Sequence, residues 1–337
     1  MARRTAVAAL SRVVRVHSAH DLLIALAGRY SFGDVGALAP AVLGEGERAA
    51  LVASVCEFGQ RLLTLDAEDF HTEIDAQTVP ADLRRRARAC HMPQTPREQP
   101  RGALDSLRSA YALLLEVVEA RWRRRELSSM IAAVHICSEY LPLLAFEPAL
   151  GHAGDPARWP EGLRAPGSRF GVMPDRDCDH TRAERSAAER TLRVAAEPPA
   201  GWRAYFDRQH SQVAGALATC AGRCRTPCPA LDWVPDLDDL SARCRIALAF
   251  AETPLVRLRH AAPVGHGFGV PSPEEVLEAW ERSRAALAKH EAAAAVTADD
   301  GFPLPGLPAL FSAVAAAPVR PATLLADVSA HVVELLG

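Results

Sequence analysis

The sequence predicts an all-α protein, a multi-helix bundle with a long irregular Pro/Gly-rich central region. Three observations predict it. Apolar residues recur at steps of three and four along most of the chain. No stretch alternates apolar and polar residues as a half-buried strand would. Hydrophobic residues make up 49% of the chain but aromatics only 6%, so a sizeable core must come mainly from Leu, Val and Ala.

In chain order, residues 3–29 set Val7, Leu10, Val14, Leu22 and Leu26 on one broad stripe, and a turn follows at Ser31-Phe-Gly-Asp34. Residues 37–64 form a second helix through Val42, Leu51, Val55, Phe58 and Leu62, with Gly44 and Gly46 as its natural break. Residues 66–100 read as irregular and end in a loop with Pro93, Pro96 and Pro100, a candidate boundary. The expected division is therefore an N-terminal helical region, 1–100, and a main helical domain, 101–337. Residues 102–146 carry the strongest helical signal and read as one long element. Its stripe of Tyr111, Leu114, Leu115, Val118 and Trp122 continues with a small shift through Leu127, Ile131, Val134, Ser138 and Leu141.

Regularity then collapses into an insertion, 148–200, dense in Gly and Pro and interrupted by a short helix at 182–196. Long irregular stretches of this kind are often functional. Residues 201–222 and 236–262 are helical again, and Pro254 should bend or split the second of these. Ser272-Pro-Glu-Glu275 starts a helix: serine caps, proline suits the first turn, and carboxylates suit the positive end of the dipole. Residues 302–308 read as a linker before a final helix over 321–336.

Composition narrows the function classes. With 38 basic and 41 acidic residues and a net charge of −3, electrostatics give no reason to expect a nucleic-acid partner. No apolar run reads as long enough to cross a bilayer, and no signal peptide is evident. A cytoplasmic protein with reduced cysteines is the expectation.

Four groups of residues are candidates for chemistry. Cys220, Cys224 and Cys228 stand at steps of four and would share a helical face. With His210 as a fourth ligand they could hold zinc. Zinc knuckles normally space their cysteines more closely, however, and Pro227 interrupts the helix, so small buried thiols are the plainer reading. His135 and Glu139 also share a face. A di-iron bundle would need Glu-x-x-His on two helices, which leaves a hydrogen-bonded pair at the core edge.

His152, close to Gly151 and Gly154, is the third candidate. It is placed to project into a cavity as an acid/base near neutral pH, oriented by Asp155; the alternative is an exposed loop histidine. The fourth is Val256-Arg-Leu-Arg-His260 with Gly265-His-Gly-Phe-Gly-Val-Pro-Ser272. On a buried helix, His260 offers a nitrogen to heme iron, and Arg257 and Arg259 could meet the propionates. The glycines allow close backbone approach, and donors near Ser272 could hold a carboxylate. The alternative is a surface histidine between two arginines.

This fourth run, in an all-α chain, resembles the heme-dependent aromatic oxygenases, the superfamily of tryptophan 2,3-dioxygenase and the bacterial tyrosine hydroxylases. The resemblance implies His260 as axial ligand, with Arg257 and Arg259 binding the cofactor. It further implies His152 as distal acid/base and Gly267, Gly269 and Ser272 as contacts to the substrate carboxylate. On that reading the chain is an oxidoreductase of secondary metabolism that hydroxylates or oxygenates a small aromatic amino acid or related metabolite. Its partners would be heme and a small-molecule substrate, with a homo-oligomer as an optional assembly. Two other readings stand beside it: a non-catalytic helical interaction or scaffold protein, and a metal-thiolate protein built on Cys220, Cys224 and Cys228. Zinc or no cofactor replaces heme in those cases.

Overall fold

The computed structural model describes residues 18–66, 77–93, 98–155, 214–225, 231–260, 269–290 and 301–337, with positions 158, 183, 227 and 267. Every regular element among them is a helix. The first, α1 (Ala19–Ala27), begins where the Ser18 side chain accepts the Asp21 N–H. The turn expected at 31–34 is shorter than the sequence suggests, because Phe32 already opens α2 (Phe32–Leu43) and Tyr30 absorbs the reversal at φ +59°. Gly44, at φ +81°, separates α2 from α3 (Glu47–Thr64), so the predicted break is real. These two helices approach closely: a Cβ on Gly59 would lie 2.9 Å from the ring of fully buried Phe32.

Residues 66–100 are not wholly irregular, for they hold α4 (Ala81–Cys90). Leu83, Ala87 and Cys90 form its narrow buried stripe, which four arginines obscure in the sequence. The single long element expected over 102–146 is instead a 3-10 turn (Gly102–Leu104), α5 (Arg108–Arg123) and α6 (Leu127–Leu150). The chain reverses at Arg125, φ +62°. Glu126 fixes the reversal by accepting from Arg121 and Arg124, and Arg124 also reaches the Tyr30 carbonyl. Burial would raise the Glu126 pKa, but the two guanidiniums outweigh it and hold the carboxyl below its ordinary range.

The second half packs around α6. Helices α7 (Gly215–Gly222) and α8 (Leu237–Ala251) pair, and α8 lies on α6. Pro254 does split the next element: it opens α9 (Pro254–Arg257), which runs into a 3-10 turn (Leu258–His260). The capping box foreseen at Ser272 starts α10 (Pro273–Leu287). The expected linker is shorter than 302–308, because α11 (Leu307–Ala315) begins inside it. Pro308 sits in the first turn, where no backbone N–H is needed. The chain ends in α12 (Leu324–Leu336). The helices expected over 3–17, 182–196 and 201–213 lie outside the described residues, apart from position 183.

By length and composition α6, at 24 residues, could cross a membrane, contrary to the sequence expectation that no run suffices. Yet 67% of its most apolar window is buried inside the protein, against α5, α8 and α11. Buried Arg243 of α8 ties this centre together by donating to the Ala145 and Val314 carbonyls while it pairs with Asp239. The Tyr111 hydroxyl donates to the Cys137 carbonyl at 2.6 Å.

One contiguous cluster of buried side chains runs from Leu23 to Leu336, so core contacts cross position 100. Helix α12 carries many of them, packing on α1, α3, α4 and α5. Its N-terminus is capped by the buried Glu116 carboxylate, which accepts the Ala326 N–H at 3.0 Å. Burial raises the Glu116 pKa against the opposing pull of those backbone donors. Its C-terminal carbonyls accept from His20 and Arg48.

The α2–α3 contact yields a test. Alanine in place of glycine normally favours a helix by about 0.5–1 kcal/mol. At Gly59 the clash with Phe32 should dominate, at about 1–3 kcal/mol for an overpacked core. Gly59→Ala should therefore lower stability in urea unfolding; a stabilised variant would show that this crossing has slack.

Candidate functional site

Helix α4 has two polar faces. Arg86 points to α12, where it meets Asp327 at 2.6 Å and Thr323 at 2.9 Å. Arg84, Arg85 and Arg88 instead line an open groove of about 520 Å³, whose other wall includes Gly102, Asp105 and Ser106. Arg85 pairs with Asp82 on its own helix. The Nε of Arg84 is buried and has no hydrogen-bond partner among the described residues.

The far wall is built over a buried ionic cluster. Gly102 is at φ +49°, and a Cβ there would lie 2.3 Å from the His91 carbonyl oxygen and 2.9 Å from that of Arg88. Only glycine lets the chain pass this close to the end of α4. The bond from Ala103 N–H to the His91 carbonyl, 2.8 Å, fixes the passage. Just before it, buried Arg101 grips fully buried Asp155 with two parallel bonds, Nε to Oδ2 at 2.9 Å and a second nitrogen to Oδ1. Arg101 also donates to the Glu98 carbonyl at 3.3 Å, and the Glu98 carboxylate lies 2.7 Å from His91 Nε2. A few residues on, Glu147 of α6 accepts from Ser106 and from the Leu107 N–H, 2.9 Å, at the start of α5.

His152 sits at the back of this cluster. Its Nδ1 accepts the Asp155 N–H at 2.9 Å, and its Nε2 faces the Arg158 carbonyl at 3.3 Å. Burial, and next the Arg158 charge, lower its pKa; Asp155, the Arg158 carbonyl and Asp105 pull the other way. The expectation of a histidine projecting into a cavity is thus corrected: the ring is 2% exposed and both nitrogens face backbone groups. Its relation to Asp155 is also reversed. The ring holds the aspartate's backbone, and the carboxylate goes to Arg101.

The other predicted residues fall elsewhere. His260 was expected on a buried helix; it ends a 3-10 turn in which no residue is buried, and it is exposed, as is Arg257. Arg259 donates to His135 Nε2, and Glu139 lies 3.2 Å from the same nitrogen. Two of the sequence candidates therefore meet as one surface cluster. An axial imidazole must face inward onto the porphyrin, so the described residues at 257–260 do not fit a heme cradle. Gly267 is half-buried and Gly269 exposed. The Ser272 N–H that was to hold a substrate carboxylate is donated, at 2.7 Å, to Glu275 in the capping box. Cys220 and Cys224 are buried; Cys228 and His210 lie outside the described residues. Among the described residues no three metal-ligating side chains come together.

Sequence reasoning missed the groove and the Arg101–Asp155 pair. The signal for the groove was the run Arg84-Arg-Arg-Ala-Arg88, which becomes informative only once α4 is known to be a helix. Nothing local signals a pair 54 residues apart. Comparison with known proteins finds no matching family model, no matching curated protein and no matching solved structure.

The buried pair generates a double-mutant test. Asp155→Ala leaves a buried guanidinium uncompensated and should cost about 3–5 kcal/mol. Joint replacement, Arg101→Met with Asp155→Leu, should recover most of that loss, since well-packed apolar pairs often match buried ion pairs. Additive losses in denaturant unfolding would show that the two side chains do not act as a pair.

Proposed function

We propose that the protein binds a small anionic ligand, carrying a phosphate or carboxylate, in the groove between α4 and the segment 100–106. One observation carries this reading: three arginines of α4, Arg84, Arg85 and Arg88, line the same groove. The planar fork of arginine matches carboxylate and phosphate oxygens. The groove volume of about 520 Å³ falls in the range of roughly 300–1,000 Å³ typical of small-molecule sites.

The chemistry of the walls favours binding over turnover. Asp105 is paired with Arg158 at 2.9 Å, and the Ser106 hydroxyl is donated to Glu147. The carboxylate beside Ser106 is also held by the Leu107 N–H at the start of α5. The reading proposed is that of a binding protein.

Calorimetric titration with inorganic phosphate, a phosphate monoester and a tricarboxylate at low salt tests it. Saturable binding by at least one of them is expected. Arg84→Ala should weaken it about tenfold or more, as loss of a charge-assisted bond of about 1.5–3 kcal/mol requires. Arg282→Ala, exposed on α10, should leave it unchanged. Equal affinity in both variants, or no saturable binding at millimolar ligand, would overturn the reading.

A further inference from the structure

The turn after α6 is closed by an imidazole. Gly151 and Gly154 both adopt left-handed backbone, φ +76° and +74°, and between them His152 folds back so that its Nδ1 receives the Asp155 N–H at 2.9 Å. A backbone N–H can only donate. Nδ1 must therefore present a lone pair, and the ring carries its one proton on Nε2, facing the Arg158 carbonyl. A second proton could go only to Nδ1, where it would point at the Asp155 hydrogen. The bond that closes the turn and the charged ring exclude one another.

What that turn holds is the buried ion pair. It presents Asp155 to Arg101, and the Ala153 N–H donates to the Leu104 carbonyl at 2.9 Å. The 152–155 turn is thereby tied to the 101–105 segment by a carboxylate and by a backbone bond.

We propose that His152 is an acid-released latch: the neutral ring keeps Asp155 on Arg101, and protonation frees the turn and with it the 101–105 segment. Among the described residues, the charged groups facing the ring are Arg158, which opposes protonation, and Asp155 and Asp105, which favour it. Arg101 lies one residue further, on Asp155. Burial and Arg158 prevail, so the closed form binds the proton less well than an ordinary histidine. The latch is fully engaged above the unfolded value near 6.5. Below it the open form binds more protons, and the opening constant rises by at most about tenfold per pH unit until the closed form titrates as well. Whether release also empties the groove rests on the anion-binding reading; the latch does not.

Hydrogen exchange between pH 5 and 8, corrected for intrinsic rates, tests it on the full chain. In the wild type, opening of 101–105 and 152–155 should rise below about pH 6.5 while α10 stays flat. In His152→Asn the amide oxygen can accept the same N–H and does not titrate, so the rise should vanish. A flat wild-type profile, or an unchanged rise in His152→Asn, would overturn the proposal. If that variant does not fold, ring NMR of the wild type decides. Nδ1 should be unprotonated at pH 7.5, and ring titration should coincide with the rise in exchange; a protonated Nδ1, or separate midpoints, would overturn it. Titration with sulfate, which keeps its charge over this range, completes the series: acid opening without any sulfate binding at pH 7.5 retains the latch and removes the groove reading.

Discussion

Arg101 and Asp155 hold opposite charges in a place almost without solvent, 6% and 0% exposed. Removing each from water costs several kcal/mol, which mutual attraction repays only when geometry is good and the remaining donors and acceptors are occupied. The surroundings meet that demand. The guanidinium is bidentate on the carboxylate, and a third nitrogen reaches the Glu98 carbonyl. The aspartate's own N–H goes to His152. Gly102, next to Arg101, adopts left-handed backbone just where the chain passes the end of α4. The pair thus dictates the path of the groove's far wall.

The near wall is fixed from the opposite end of the chain. Helix α4 packs on both α5 and α12, and Arg86 locks it to Asp327 and Thr323 at the start of α12. Helix α12 is itself held at both ends, by Glu116 at its donors and by His20 and Arg48 at its carbonyls. The position of Arg84 and Arg88 therefore depends on the C-terminal helix being seated. Stability of the bundle and shape of the groove are the same problem at this point.

Helix class was legible because it follows from local periodicity, which survives wherever an apolar stripe is wide. The stripes of α5 and α6 run in phase across a three-residue reversal, and so read as one helix. What divides them, the left-handed Arg125 braced by Glu126 on two arginines, has no composition signal. Helix α4 was hidden because only three small or medium side chains face inward. Helix α11 was hidden because proline reads as a breaker even where the first turn tolerates it. The capping box at Ser272 was read correctly, and its completeness is what takes the Ser272 donor away from any ligand. His152 stands out by its glycine neighbours, but those glycines shape a tight turn rather than open a cavity. Sites made by residues far apart in sequence, such as Arg101 with Asp155, leave no local trace.

Arginine usage supplies the last step. The chain has 38 basic residues and almost all are arginine, so one side-chain type must serve both architecture and recognition. The architectural ones are identified by their partners. Arg48 donates to the carbonyls of Leu335 and Leu336, Arg121 to that of Leu63, and Arg124 to those of Arg29 and Tyr30. Arg243 donates to Ala145 and Val314. All of these acceptors but Ala145, which lies inside α6, are at a helix end or a turn, where carbonyls lack an intrahelical donor. Arg84 departs from this pattern: its Nε is withdrawn from water yet meets no acceptor among the described residues, and it lies on the wall of a groove rather than against a helix end. On the proposed reading, Arg84 belongs with Arg85 and Arg88 to the recognition set rather than the architectural one.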